Sequence, residues 1–374
     1  YKTGSGTWTI GYLRDQATTY GSAGIIVNGG TLISAGNDTS ANFYGPVTIN
    51  AGTLKLGATG ISAANGPLGR PNNGTTVTGT GGALDVNGYT LAYVEPLTLN
   101  GSGVANGGAL LNSSAVSDAA YPGTIVLGSA TRINSTVAGR TFTLAAGISA
   151  GANTLTLGGA GNITMTGTSG AGASVVKDGT GTLRMGESSY TGGTTVSAGA
   201  LLAINGSGSA TGSGTVTVQS GGTLGGYGTV SGPVTIRSGG RMAPGDGAVG
   251  TLTLSRTSLN LAFNTGAVLD YEIGGTQALP TGDKVNLTGA GSTITFGSTA
   301  TLNLSKAAGS TVTDPVGKTF VLFDYTGSDP VLPVWTVNYG ATGWSGATVS
   351  VDSVNKRVIL VLVQPASGTT YSFQ

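Results

Sequence analysis

One short segment of this chain repeats at a fixed offset, and that repeat constrains the fold more than any other feature. Thr215–Leu224 (TVTVQSGGTL) recurs 18 residues later as Pro233–Met242 (PVTIRSGGRM). Val216 aligns with Val234, Val218 with Ile236, the pair Gly221-Gly222 with Gly239-Gly240, and Leu224 with Met242. The unit also occurs at Ile25–Leu32, Pro46–Leu54 and Thr194–Leu201, with looser copies at Gly81–Leu84 and Gly107–Leu110. Val216 and Val218 lie two apart, so both point to one face of a strand, with Thr215 and Thr217 on the other. The Gly-Gly pair turns a corner, and Leu224 returns to the same interior from the next strand. Such a unit cannot bury its apolar face alone, but stacked on copies of itself it forms a continuous core, a β-solenoid.

Helix periodicity is nearly absent, because Gly or Thr interrupts almost every window. Short alternations of Val, Ile, Leu and Thr, bounded by Gly and Asn-Gly dipeptides, read as strands and turns throughout. The expected organisation is an N-terminal strand or cap over 1–19, a solenoid over 20–255 and a β-rich cap or small β-sandwich with an ordered tail over 256–374. With coils about 4.8 Å apart, roughly twelve coils would make a rod of roughly 60 Å. The last third is set apart because Gly-Gly corners thin out after residue 255. Longer strands are expected there at Leu269–Ile273, Lys284–Leu287, Thr293–Phe296, Thr301–Leu304 and Thr319–Phe323.

The stretch from Val176 to Leu201 (VKDGTGTLRMGESSYTGGTTVSAGAL) resembles the passenger-associated strand repeat of bacterial autotransporters. In that family a G-x-G-T-L strand precedes a Y-T-G-G-T-T-x-V-x-x-G-x-L segment. Gly179, Gly181, Thr182, Leu183, Tyr190, Thr191, Gly192, Gly193, Thr194, Val196, Gly199 and Leu201 fit, with Val196 one residue earlier than the pattern. Arg241–Leu252 is similar to the P-G-x-x-x-G-T-L element that often follows. The resemblance is specific over 176–255 and diffuse over 20–175. It implies a right-handed parallel β-helix, exported and displayed at a bacterial surface. No functional residues carry over, since the repeat marks a scaffold rather than a site. The alternating segments of a membrane barrel are not found, and no apolar run is long enough for a membrane-spanning helix. The start at Tyr1 is read as a mature chain whose leader was removed, or as a fragment.

Composition narrows the chemistry. The chain of 374 residues has no Cys and no His. That removes disulfides, thiolate and imidazole metal sites, Cys nucleophiles and the Ser-His-Asp triad. A net charge of +1 gives no field for nucleic acid. There are 15 acidic residues, and no charged residue occurs from Ser188 to Ile236. Asp270 and Glu272 share a strand face and could ligate a hard cation, but a solvent-facing edge with Leu269, Tyr271 and Ile273 inward is the expected reading. Asp178 and Glu187 flank Arg184, which suggests a surface ion pair. Asp246 reads as a turn residue, and Gly225–Gly228 falls short of a calcium-roll repeat. Tyr12, Tyr20, Tyr44, Tyr89, Tyr93, Tyr190 and Tyr227 are scattered and read as core or corner packing rather than a sugar-binding face.

No catalytic residue, metal site or cofactor is expected. The leading reading is a non-enzymatic extracellular structural protein whose copies assemble head to tail into a fibre or surface layer. An adhesin passenger that binds surface glycans and a polysaccharide-cleaving enzyme stand as alternatives. The expected assembly residues are Trp8, Ile10 and Tyr12 on one side of an N-terminal strand, and Tyr371 and Phe373 in an uncharged tail. Docking of each terminus on its own subunit is the alternative for those segments.

Overall fold

The fold was taken from a computed structural model, which describes residues 1–11, 24–36, 43–60, 66–71 and 73–363. Among them there is no α-helix, and a single 3-10 turn spans Val104–Asn106. Nearly all strand pairs are parallel, so the chain is a parallel β-helix. It forms two compact units, 1–201 with 208–214, and 202–207 with 215–374.

In the first unit one sheet is built by successive coils. It contains Thr7–Ile10, Ile25–Ser34, Val47–Leu56, Thr75–Asp85, Leu97–Gly101, Ile125–Ser135, Thr154–Gly158, Ser174–Lys177 and Thr194–Val196. A second sheet contains Ala119–Tyr121, Thr141–Leu144, Asn162–Met165 and Thr182–Met185. Like residues meet between coils: Val27 pairs with Ile49 and Ile49 with Val77, while Leu32 pairs with Leu54 and Leu54 with Leu84. All six side chains are buried. In these early coils the expected Gly-Gly corner does not end the strand. Ile25–Ser34 and Val47–Leu56 run through it, and the ladder shifts register between Val27 and Thr31. A bulge of this kind bends a strand without breaking it.

The second unit has three sheets. Val216–Val218, Val234–Ile236, Asn260–Phe263 and Thr293–Phe296 form one, in that order. Gly222–Gly226, Arg241–Pro244, Ala267–Gly275, Thr299–Lys306 and Val334–Asn338 form another. The third contains Thr229–Val230, Thr251–Leu254, Lys284–Leu287, Thr319–Asp324, Arg357–Leu362 and Ala347–Asp352. The 18-residue register is realised: Val216 pairs with Val234, Val218 with Ile236 and Leu224 with Met242, all fully buried. Parallel pairing continues beyond residue 255, through Val334–Asn338. Antiparallel pairs join Arg357–Leu362 to its two neighbours, and Ala267–Gly275 to the short strand Pro280–Gly282. In the later coils the same corner is made by residues 264–266 and 297–298 without a Gly-Gly pair, so the thinning of that motif does not end the parallel stack.

Candidate functional site

The N-terminal strand is the first candidate surface. Thr7–Ile10 pairs in parallel with Ile25–Ser34, placing Trp8 beside Leu32 and Ile10 beside Ser34. Leu32 is buried, but Trp8 is 56% exposed and Tyr1 85% exposed. Trp8 and Ile10, with Lys2, Ile25, Ile26 and Leu32, line a shallow pocket of about 170 Å³. Trp8 thus occupies the last rung of an apolar ladder that no further coil covers among the described residues. Of the other expected assembly residues, Tyr12, Tyr371 and Phe373 lie outside the described residues.

Lys2 itself is buried. Its ammonium donates to the carbonyls of Thr3 and Gly4 at 2.8 Å and to Gly29 of the next coil at 3.0 Å. The Lys2 carbonyl accepts from the Asn28 N–H at 2.8 Å. The same arrangement occurs at Lys177. Its ammonium donates to the carbonyls of Asp178, Gly179 and Ala198 at 2.7, 2.9 and 3.1 Å, and its carbonyl accepts from the Ser197 N–H at 2.8 Å. Lys2 is bridged to Val27, and Lys177 pairs with Val196. Gly30 and Gly199, which follow these corners, both have φ of +64°. A buried cation held by three carbonyls therefore ties one coil to the next at two places. Burial pushes the Lys177 ammonium down to about 8, against the pull of Asp178.

The acidic residues are taken up by the architecture. Asp178 meets a cation from another coil. It accepts a bidentate pair from Arg132, at 2.7 and 2.8 Å, because stacking brings those coils together. Asp270 accepts from Arg241 at 2.7 and 2.6 Å and from Asn303 at 2.7 Å, and Asn338 donates to Asn303 at 2.8 Å. That ladder engages both Asp270 oxygens with Arg241 and Asn303. Glu272 stands beside Asp283, whose two oxygens accept from the N–H groups of Gly250 and Glu272 at 2.8 Å. Burial raises Asp283 to about 7 in spite of those bonds. Glu95 is fully buried, accepts from the Thr75 hydroxyl at 2.8 Å, and has a second oxygen with no partner among the described residues. Burial pushes it up to about 8. No cluster of three or more Asp, Glu, His or Cys with the geometry of a metal site occurs among the described residues.

The tyrosines divide. Tyr93 and Tyr190 are buried, with hydroxyls bonded to the Leu68 N–H and to Thr194, respectively. Tyr44 lies under the Arg70 guanidinium at 4.3 Å, and Tyr227 is exposed. Tyr12 and Tyr20 are outside the described residues. Sequence reasoning missed Lys2, Lys177, Glu95 and Asp283 as interior groups. Their strand phase held the signal: Glu95 alternates with Tyr93 and Leu97, Lys177 with Val175, and Asp283 with Val285 and Leu287, all facing inward.

Residues 175–203 match the family model described as passenger-associated-transport-repeat. No curated protein matches the chain. The matched span contains the Lys177 corner, Tyr190 with its bond to Thr194, and the Val196 to Leu201 turn. By this match residues 175–203 are similar to the passenger-associated transport repeat, consistent with the autotransporter passenger repeat that the motif over 176–201 resembles.

Proposed function

We propose that this chain is a non-enzymatic structural module, exported to the surface of a bacterial cell, whose copies associate through the N-terminal end of the first unit. The passenger repeat supports the location. The engagement of Asp178, Asp270 and Asp283 in ion pairs and backbone hydrogen bonds supports a structural rather than a catalytic use of carboxylates. The observation that carries the association is the position of Trp8. It is 56% exposed on an edge strand, directly beside the buried Leu32. An uncovered strand edge with unpaired N–H and C=O groups is a template for another strand, and a head-to-tail contact that does not close gives a filament.

The test is sedimentation velocity and electron microscopy of the whole chain, beside Trp8→Lys and Ile10→Lys variants. The expected result is concentration-dependent growth of the parent and monomers for both variants. A parent that stays monomeric at high concentration refutes the association. A display role in which the solenoid presents a binding surface is the second reading, and a groove in the second unit favours it.

A further inference from the structure

An open groove of about 720 Å³ lies on the second unit, at one corner of its first sheet. Register explains its lining. Val218, Ile236, Phe263 and Phe296 stack on one another in consecutive coils. The residue after each of them, Gln219, Arg237, Asn264 and Gly297, therefore forms the next row, with Ser238 and Thr265 just beyond. Three coil spacings of about 4.8 Å make the row about 14 Å long, the length of a short oligosaccharide.

The chemistry of this row is specific. Arg237 is the first charged residue after the neutral run from Ser188 and, among the described residues, the only charged one lining the groove. Its side chain is exposed and has no hydrogen bond or ion pair among the described residues, unlike Arg132, Arg241 and Arg357, which each hold an Asp. Gln219 and Asn264 supply amides that both donate and accept, as the hydroxyl of Ser238 does, while the Thr265 hydroxyl accepts from the Ser298 N–H at 3.1 Å and borders the row. Phe296, half-buried, presents an apolar surface. Phe263, Phe323 and Trp335, at centroid distances of 5.6 to 5.8 Å within the cluster, hold it in place. We propose that this groove binds a carboxylate-bearing glycan, with Arg237 forking onto the carboxylate, the amide and hydroxyl row taking the sugar hydroxyls, and Phe296 meeting the apolar face of a sugar ring. A planar guanidinium matches a carboxylate through two parallel hydrogen bonds. A hydroxyl-rich ligand needs partners that both give and take hydrogen bonds, which this row provides. One cation is too little for a nucleic-acid backbone. The inference goes beyond the self-association above and does not depend on it, because a monomer carries the same groove.

The experiment uses the whole chain and saturation-transfer NMR with trigalacturonate, its neutral methyl ester and a short polyglutamate. Arg237→Gln and Asn264→Ala are the variants, both at exposed positions, with thermal melts to establish that each folds as the parent does. The expected result is saturable binding of trigalacturonate at a dissociation constant of roughly 1 mM or below. The methyl ester should bind at least about tenfold more weakly, as should Arg237→Gln with trigalacturonate, since a charge-assisted pair is lost. Asn264→Ala should weaken binding by a smaller factor. No binding by the parent, equal binding by Arg237→Gln, equal binding of the ester, or displacement by polyglutamate at matching concentration each overturns the proposal.

Discussion

Lys2 and Lys177 hold the same position in two coils at opposite ends of the first unit. Each ammonium is bonded to the carbonyls of the two residues that follow it and to one carbonyl of the next coil. The surrounding spacing is shared: Lys2, Gly4, Gly6 and Thr7 match Lys177, Gly179, Gly181 and Thr182. The N-terminal segment is therefore a second copy of the geometry seen in the family-matched repeat. A corner where several carbonyls converge needs a donor, and a lysine whose stem crosses the apolar interior supplies three N–H groups there.

Lys177→Met keeps the stem and removes the donor. Each buried carbonyl left unsatisfied costs about 1–3 kcal/mol, partly offset because no ammonium is desolvated. The expected loss of stability is about 2–4 kcal/mol, read from urea unfolding. A change within about 0.5 kcal/mol, as for an ordinary surface substitution, would show that the clamp contributes nothing.

Gly199→Ala tests the same corner from the backbone side. Gly199 has φ of +64°, and a Cβ there would stand 2.5 Å from the Gly181 oxygen, 2.6 Å from the Gly179 oxygen and 2.9 Å from the Lys177 nitrogen. Gly221 has φ of +83° with nothing within 4 Å of the added Cβ. Gly221→Ala should cost about 1–2 kcal/mol, the left-handed backbone penalty alone. Gly199→Ala should cost clearly more, because the clash adds to it. Equal melting shifts in the two variants would refute the close approach.

Leu224→Asp should be severely destabilising, by more than about 4 kcal/mol, and Thr217→Asp by less than about 1 kcal/mol. Leu224 is fully buried beside Met242, whereas Thr217 is on the outer face of its strand and partly exposed. Thermal melts of the two variants make the comparison, and similar midpoints would invert the face assignment.

Stability should fall as the solution goes from mildly acidic to mildly basic. The Glu95 carboxyl rises from its usual 4.5 to about 8 on folding, so the folded state holds a proton that the unfolded state has released between those values. Its contribution is complete below about pH 4.5 and is lost as pH rises through about 8. Asp283, raised to about 7, acts in the same direction. Unfolding free energies should be lower at pH 8.5 than at pH 5 by several kcal/mol, at about 1.4 kcal/mol per pH unit for each such proton. Glu95→Gln, which keeps an acceptor for Thr75, should flatten the slope. An unchanged slope in that variant would remove Glu95 as its source.

Much of the scaffold was legible in the chain itself. The offset between Val216 and Val234 appears as a parallel pair, because identical units stacked at one spacing have one register that buries every apolar rung. Charges in phase with buried neighbours, such as Glu95 and Lys177, were legible in principle through strand alternation.

The sequence alone determined the strand period and the parallel coil, since these depend on contacts between near-identical units. Only the tertiary structure decided which charges meet. Arg132 reaches Asp178 across two coil steps, and Arg241 reaches Asp270 in the next coil. It also decided that Gln219, Arg237 and Asn264 share one groove. Gln219 and Arg237 keep the 18-residue repeat, but Asn264 follows Arg237 by 27 residues, so no single sequence period places all three together. Their proximity comes from the register of the buried rungs before them, which stacking alone fixes.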